Sequence, residues 1–153
     1  MYCDYLLTPI GWLEISADEI GITGVYFVET QTKMSAPNQW IEQAKNELLA
    51  YFERKRKHFD VPLHILNGTS FQRKCWDALL TIPYGKTRSY YEEACIIGNP
   101  KAVRAVGGAN HHNPISIIIP CHRVIAKNGT LCGYGGGVLR KEFLLQLEAG
   151  DEE

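Results

Sequence analysis

The feature of this sequence that most constrains its fold is a change in hydrophobic pattern about halfway along the chain. Near the N-terminus apolar residues occupy every second position, so Leu13, Ile15 and Ala17 would share one face of a β-strand. From residue 69 onward the signals are those of helices, because Thr69 and Ser89 each precede a Gln or Glu by three positions, the spacing of a capping box. The pattern predicts an α+β protein, in which a small antiparallel sheet with one helix is followed by a mostly helical part.

The first part is expected to hold three strands and one helix. We place the strands at residues 2–7, 12–17 and 24–28, and we expect Asn38 to cap the helix that follows. The basic run at 54–57 would close this helix, since cations are favourable near a helix C-terminus. Its inner face is predicted to consist of Ile41, Ala44, Leu48, Leu49 and Phe52.

A linker at 64–68 separates the two parts, so we divide the chain into domains at residues 1–66 and 67–153. The second domain is predicted to end in a helix that stops near Gly150. The buried face of that helix is expected to contain Leu139, Phe143, Leu144 and Leu147.

The middle of the second domain has the spacing of a helix-turn-helix. A short helix is predicted from Ser89 to Gly98, and another is expected to begin at Asn99–Pro100, with proline at its first position. Many such units are purely structural, so the spacing alone does not establish DNA binding. The helix before them, capped by Thr69, should bury Phe71, Cys75, Leu79 and Leu80. The second helix of the pair should turn Lys101 and Arg104 outward and Val103 and Val106 inward.

The charges are distributed unevenly along the chain. The formal net charge is only -1, but residues 70–141 carry ten basic residues against three acidic ones, a local charge of +7. A basic surface of this kind attracts phosphates and adds affinity by counterion release. The alternative is an ordinary solvated face whose acids lie elsewhere in the chain. The ten are Arg73, Lys74, Lys86, Arg88, Lys101, Arg104, Arg123, Lys127, Arg140 and Lys141.

Membrane and secreted proteins are excluded by other features of the sequence. The longest apolar run, Ile115–Ile119, is stopped by Pro120 and falls far short of the roughly 20 residues of a membrane helix. Asp4 lies near the N-terminus without a basic leader, so no signal peptide is expected. Five cysteines, an odd number without a dense framework, favour free thiols in a reducing cytoplasm.

One cysteine stands out because a histidine follows it directly. Cys121 leaves a short β-branched segment after Pro120 and lies amid basic residues, which is the setting of a nucleophilic thiolate. Adjacent side chains diverge in extended backbone, so His122 would act through a water molecule or after a local turn. Glu148 could orient the imidazole and complete a Cys-His-carboxylate relay. The alternative is a buried thiol beside an incidental imidazole, since free cysteine is among the most buried residue types.

The string Asn-Pro-Ile-Ser-Ile-Ile-Ile-Pro-Cys-His-Arg-Val at 113–124 closely resembles the active-site motif of the methylated-DNA–protein-cysteine methyltransferases. These proteins repair guanine that is alkylated at its O6 oxygen. The resemblance is continuous from about residue 71 to 148 and weak in the N-terminal half, mainly at 8–11. It implies a ribonuclease H-like first domain and a winged helix-turn-helix-like second domain. Two further matching stretches are 101–109 and 133–134, the latter ahead of Lys141–Glu142.

The resemblance implies a role for each residue of the motif. Cys121 would attack the alkyl carbon and keep the alkyl group as a thioether, so that each molecule works once. His122 would take the thiol proton through water, and Glu148 would hold the imidazole. Tyr90 would hydrogen-bond the guanine ring and help the base to leave the duplex. Asn113 would brace the turn beneath the cysteine, although it is equally an ordinary turn residue before a proline.

The resemblance also implies DNA and substrate contacts. Arg104 would fill the space left when the damaged nucleotide is flipped out of the duplex, which favours entry through the minor groove. Without the motif, a phosphate contact from a major-groove helix would be the default. The other DNA contacts are expected from Lys101, Ala102 and Arg123. The substrate pocket is expected to consist of Val124, Tyr134 and Gly135, with backbone groups of Val124 and Gly135 facing the guanine edge.

We expect a monomer that acts on double-stranded DNA containing O6-alkylguanine without a cofactor or a membrane. No structural metal is expected, because no Cys-x-x-Cys pair occurs and Cys3 is the only thiol before Cys75. Cys75 and Cys95 are expected to pack on apolar helix faces. Two other functions compete with repair. A lesion-binding protein without transfer activity would lack the cysteine, and a cysteine hydrolase using Cys121 would turn over repeatedly.

Overall fold

A computed structural model describes residues 1–131, 134 and 136–150. The chain divides into two compact units. The first comprises residues 1–66 and a short return segment, 114–118, and the second comprises 67–113 and the residues from 119 on. Within the described part of the chain, no helix combines the length and the apolar character that a membrane span requires.

The first unit is built on a three-stranded antiparallel sheet in the order β1-β2-β3. The strands are β1 (Tyr2–Thr8), β2 (Gly11–Ala17) and β3 (Ile22–Val28). The predicted alternation is confirmed, because Leu13, Ile15 and Ala17 of β2 are fully buried on one face. The first two strands pair from Tyr2 opposite Ala17 to Thr8 opposite Gly11.

Helix α1 (Gln39–Phe52) packs on this sheet, and the side chain of Asn38 caps it by accepting a hydrogen bond from the Ile41 N–H. The predicted inner face was wrong at Leu49, which is exposed, and it left out Tyr51, which is buried. The basic run closes the helix as predicted, since the Arg54 N–H donates to the Tyr51 carbonyl and the Lys55 N–H donates to the Ala50 carbonyl. The helix ends at Phe52 and Arg54 has a φ of 61°, so the cations lie just beyond the last turn.

The return segment 114–118 adds to the edge of the sheet. The Val25 N–H donates to the Pro114 carbonyl and the Ser116 N–H donates to the Val25 carbonyl, both at 3.0 Å. The β-branched run 115–119 favours an extended backbone, but the chain turns at Ile117, whose φ is 72°. A β-branched residue rarely adopts this left-handed conformation, and here Ile117 is fully buried in it.

The second unit is mostly helical, and this part of the α+β prediction is confirmed. Its elements are α2 (Ser70–Leu79), β4 (Arg88–Ser89), α3 (Tyr90–Ile96), α4 (Val103–His111), β5 (Val124–Ile125) and α5 (Val138–Ala149). Both predicted capping boxes are present, at Thr69 with Gln72 and at Ser89 with Glu92. Leu80, predicted to be buried, is exposed because it follows the last turn of α2.

The start of α4 differs from the prediction. Residues 99–101 form a turn in which the Ala102 N–H donates to the Asn99 carbonyl, so the helix begins at Val103 and not at Pro100. Lys101 therefore precedes the helix, and Val103 is exposed, whereas Val106 is buried as expected. The helices α2, α3 and α4 share a core of Cys75, Ala94, Val106 and Ala109.

A two-residue parallel pairing joins the segment after Cys121 to the start of α3. Arg88 of β4 lies opposite Val124 of β5, and Ser89 lies opposite Ile125. The sequence signals did not predict these strands, because two residues are too few to show a period. The pairing fixes the position of Tyr90, the first residue of α3, relative to the cysteine turn.

Candidate active site

Cys121 is the first residue of a single 3-10 turn, Cys121–Arg123. Cys121 is buried, with 6% of the residue exposed. Asn113 supports the turn from below, since its Nδ2 donates to the Ile119 carbonyl at 2.7 Å and to the Cys121 Sγ at 3.2 Å. One amide side chain thus fixes both the backbone before the cysteine and the sulfur itself.

The 3-10 turn directs His122 into the interior, where it meets the last helix. Its Nε2 donates to Oε2 of Glu148 at 2.7 Å, and the imidazole is fully buried. The other ring nitrogen, Nδ1, has no hydrogen-bond partner among the described residues. The sequence prediction that Glu148 orients His122 therefore has a direct contact in the structure.

Arg123 occupies a different place from the one predicted. Its Nε and Nη2 donate to the two carboxylate oxygens of Glu148 at 2.8 and 3.0 Å, and its Nη1 donates to the Ile82 carbonyl at 2.7 Å. Only 7% of the residue is exposed, so its donors are committed to the interior. The expectation that Arg123 contacts DNA is therefore corrected, because Arg123 is a buried partner of Glu148. Glu148 lies more than 20 positions away in the chain, so no local sequence signal indicates this pairing.

The charges of this cluster set the protonation of its members. Burial by itself raises the pKa of Glu148, but hydrogen bonds and charge from His122 and Arg123 lower it to about 2. Burial lowers the pKa of His122 despite the adjacent carboxylate. At neutral pH the site therefore holds an ionised Glu148 and a neutral imidazole whose proton is on Nε2, leaving Nδ1 as an acceptor.

Burial raises the pKa of the Cys121 thiol to about 11, against the opposing effects of the Asn113 hydrogen bond and the Lys141 charge. The thiol is therefore protonated at rest, and its proton must leave before the sulfur can attack. Tyr134 is also buried, and this burial raises its pKa well above the ordinary value. A smaller rise comes from the charge that Cys121 carries once it is ionised. Its hydroxyl has no hydrogen-bond partner in the described part of the chain.

Lys141 was counted on the basic surface, but the structure buries it with 1% exposed. Its Nζ lies 5.7 Å from the ring centroid of Tyr90, within the range of a cation–π contact. The helical spacing of Lys141, Leu144 and Glu148 on α5 places all three on the buried face, and this signal could have been used. Tyr90 itself is half-buried at the N-terminus of α3.

The predicted DNA contacts are placed at the surface. Lys101 and Arg104 are exposed before and within the first turn of α4, and Ala102 is half-buried between them. Because Arg123 and Lys141 are buried, the basic surface holds two fewer cations than the sequence count suggests.

Two of the three predicted pocket residues, Val124 and Tyr134, are among the described residues, and both are buried. Val124 is buried, and its N–H donates to the Cys121 carbonyl. Gly135 lies outside the described residues, as does Cys132.

Cys95, predicted to pack, is exposed, whereas Cys75 is buried. No group of three or more His, Cys, Asp or Glu side chains suited to a metal ion occurs among the described residues.

Comparisons with known proteins cover both parts of the chain. Residues 70–150 match the DNA binding domain of 6-O-methylguanine DNA methyltransferase, and residues 1–65 match its ribonuclease-like domain. A methylated-DNA–protein-cysteine methyltransferase of Methanosarcina acetivorans is 49% identical over 97% of this chain and 98% of the relative. One of Mycobacterium tuberculosis is 50% identical over 92% and 88%. A crystal structure of Mycobacterium tuberculosis OGT in complex with DNA matches with a TM-score of 0.90 and 46% identity, covering 97% of this chain and 93% of that one.

Proposed function

Because the chain belongs to the 6-O-methylguanine DNA methyltransferase family, we propose that it repairs DNA by moving an alkyl group from O6 of guanine to the sulfur of its own Cys121. The family membership confirms the resemblance at 113–124, and it extends to the N-terminal part, where the sequence match was weak. The substrate is double-stranded DNA that contains O6-alkylguanine.

One observation supports Cys121 as the acceptor more than any other. The 3-10 turn puts a thiol next to a fully buried histidine, which is paired with an ionised carboxylate at 2.7 Å. Its other ring nitrogen has no hydrogen-bond partner among the residues that the structure describes. A buried polar atom without a partner is uncommon, and at a reactive cysteine it marks a group with a chemical task. That task is to accept the thiol proton.

The proton route follows from the tautomer. Glu148 stays ionised and accepts the Nε2 hydrogen, so the lone pair of His122 is on Nδ1. The Cys121 proton would pass to Nδ1 through one water molecule, which a buried polar site of this kind can hold. The imidazolium that forms is stabilised by Glu148, while Asn113 Nδ2 steadies the sulfur as it gains charge.

The transfer itself is a displacement at the alkyl carbon. A bond forms between the Cys121 sulfur and that carbon while the carbon–O6 bond breaks, and the electron pair of the broken bond stays on the guanine. The proton removed from the thiol balances this charge, so the products are neutral guanine and a thioether. A thioether has no easy hydrolytic exit, so the protein acts once. Tyr90 would donate to the guanine ring, and Val124, Tyr134 and Gly135 would enclose the base.

The target atom is inside the duplex, so the nucleotide must leave the base stack before transfer. Arg104, exposed on the first turn of α4, would fill the vacated space, and Lys101 and Ala102 would contact the backbone beside it. We propose that the protein acts as a monomer. We place the protein in the cytoplasm, where a thiol such as Cys121 remains reduced.

Intact mass measurement after incubation with methylated duplex DNA tests this function. Each protein molecule should gain one methyl group, on Cys121, and then stop. Cys121→Ser should abolish the gain and leave DNA binding largely intact, because a hydroxyl is a far poorer nucleophile at neutral pH. Cys95→Ser is the matched control, since that thiol is exposed and should be dispensable. Repeated turnover, or a methyl group mapped to another cysteine, would refute the proposal.

A further inference from the structure

A second carboxyl group is buried in the helix-turn-helix, apart from the Cys-His-Glu cluster. Glu93 lies on α3 with 0% exposed, and its Oε1 accepts a hydrogen bond of 2.8 Å from Nδ2 of Asn110 on α4. Asn110 is itself almost fully buried. Tyr90, Glu93 and Ile97 recur at helical spacing, and Tyr90 and Ile97 pack against the core of the helices, so Glu93 lies on the inner face of α3.

The second polar atom of each side chain, an oxygen in both, lacks a hydrogen-bond partner in the described part of the chain. Glu93 Oε2 and Asn110 Oδ1 are both buried without one among the described residues. Two acceptor oxygens cannot satisfy each other, and each would cost the free energy of desolvation. One proton on Glu93 Oε2 changes this, because a carboxylic acid can donate to the amide oxygen while it accepts from the amide nitrogen.

The charged and titratable groups around Glu93 do not compensate for a negative charge. Among the described residues, the cation that lowers the pKa of Glu93 is Arg88 on β4, but the Arg88 guanidinium donates to the Ala78 and Thr81 carbonyls. The titratable groups of the described residues on which Glu93 acts in turn are the buried thiols Cys75 and Cys121. Burial raises the pKa of Glu93 to about 7, although the Asn110 hydrogen bond and Arg88 oppose this.

We infer that Glu93 is a positioning residue whose protonated form is joined to Asn110 by two hydrogen bonds, which hold α3 against α4. Helix α3 begins at Tyr90, which is proposed to face the guanine, and α4 carries Arg104, which is proposed to fill the space that the guanine leaves. The hydrogen bonds between Glu93 and Asn110 therefore set the distance between Tyr90 and Arg104. The part of this inference that concerns transfer rests on the proposed function.

The neutral form also affects the acceptor thiol. An ionised Glu93 raises the pKa of Cys121, because two negative charges in one buried region oppose each other. A proton on Glu93 removes this repulsion when the sulfur gains charge. The acid–amide pair therefore holds the two helices together and keeps a negative charge away from the nucleophile.

Glu93→Gln tests the inference, because glutamine donates and accepts in the same two directions as a neutral acid at any pH. The pKa of Glu93 is higher in the folded chain than the ordinary value of 4.5. The wild-type protein should therefore lose stability relative to Glu93→Gln as the pH rises from 4.5 to about 7, and the difference should stay constant above pH 7. The unfolding equilibrium constants should diverge by on the order of 100-fold across this range. Glu142→Gln is the matched control, since this carboxylate is exposed on α5, and it should follow wild type.

Two further measurements complete the test. In single-turnover transfer with methylated duplex DNA, the ratio of the Glu93→Gln rate to the wild-type rate should rise between pH 6 and pH 8, by roughly threefold or more. In wild type labelled with ¹³C at glutamate carboxyl carbons, one resonance should titrate near pH 7, a result that requires no variant.

Parallel stability curves for wild type and Glu93→Gln, or no glutamate resonance that titrates above pH 6, would overturn the acid–amide pair. A diverging stability curve with a constant ratio of transfer rates would confine Glu93 to a structural role and overturn its effect on the thiol. The unfolding and NMR measurements use no DNA, so they stand even if the protein transfers no alkyl group.

Discussion

Replacing Glu148 with glutamine should destabilise the second unit strongly, because this carboxylate is the partner of two basic groups in the interior. It accepts hydrogen bonds from His122 Nε2 at 2.7 Å and from Arg123 Nε and Nη2 at 2.8 and 3.0 Å. Its pKa falls from 4.5 to about 2, which corresponds to about 3 kcal/mol of stability at neutral pH. Removing one partner of a buried ion pair costs a similar amount, ~3–5 kcal/mol.

The pH dependence gives this prediction its sign. A carboxyl group whose pKa is lower in the folded chain stabilises it fully above the ordinary value of 4.5 and loses that effect as the pH falls to about 2. The difference in unfolding free energy between wild type and Glu148→Gln should therefore be constant near neutral pH. It should shrink between pH 4.5 and 2, where the wild-type side chain becomes a neutral acid.

Urea denaturation at pH 7, 5 and 3 measures the difference directly. At pH 7 the variant should be less stable by about 3 kcal/mol, or roughly 6–12 °C in melting temperature for a chain of this size. Glu142→Gln is the matched control: this carboxylate is exposed on the same helix, and its removal should change stability by less than ~0.5 kcal/mol. A cost below ~1 kcal/mol, or a difference that persists unchanged at pH 3, would refute the assignment of Glu148 as the charge that holds His122 and Arg123.

The remaining predictions concern DNA. Arg104→Ala should slow transfer about tenfold at saturating duplex DNA, if the side chain contributes ~1.4 kcal/mol to a rate-limiting flipping step, and should leave reaction with free O6-alkylguanine near wild type. An equal loss on both substrates would mean that Arg104 supports the pocket instead. DNA affinity should fall steeply with salt and vary little with sequence, and Lys101→Ala should lower it evenly across sequences in a binding titration. A strong preference for one undamaged sequence would point to a transcriptional regulator.

Local patterns predicted the elements of this fold well wherever the determining contacts are local. The caps at Asn38, Thr69 and Ser89 bond to the backbone three positions later, so the residues that form them are adjacent in sequence. The start of α4 was misplaced because proline permits a helix start but does not require one. A turn closed by the Ala102 N–H took the place of the first helical turn.

The motif located the reactive cysteine and its histidine, but the partners of its charges could not be predicted in the same way. Arg123 was assigned to DNA because a cation in a basic segment is usually solvated, and only the fold brings Glu148 and the Ile82 carbonyl to it. Burial of the Arg123 charge depends on partners distant in the chain, and a single sequence gives no signal for such pairs. Lys141 is a different case, because its helical spacing with Leu144 and Glu148 indicated the buried face of α5 and was not used.

Glu93 and Glu148 show how strongly those partners decide the chemistry of one residue type. Both carboxyl groups are buried in the second unit, yet the pKa of one is raised to about 7 and that of the other is lowered to about 2. Burial disfavours the charge in both, so it cannot explain the difference. Glu148 accepts hydrogen bonds from an arginine and a histidine, whereas Glu93 accepts one from the neutral amide of Asn110 and has the Arg88 charge near it without a hydrogen bond among the described residues. A charge is thus kept where an imidazolium must form and removed where a thiolate must form, which is the division that a displacement by Cys121 requires.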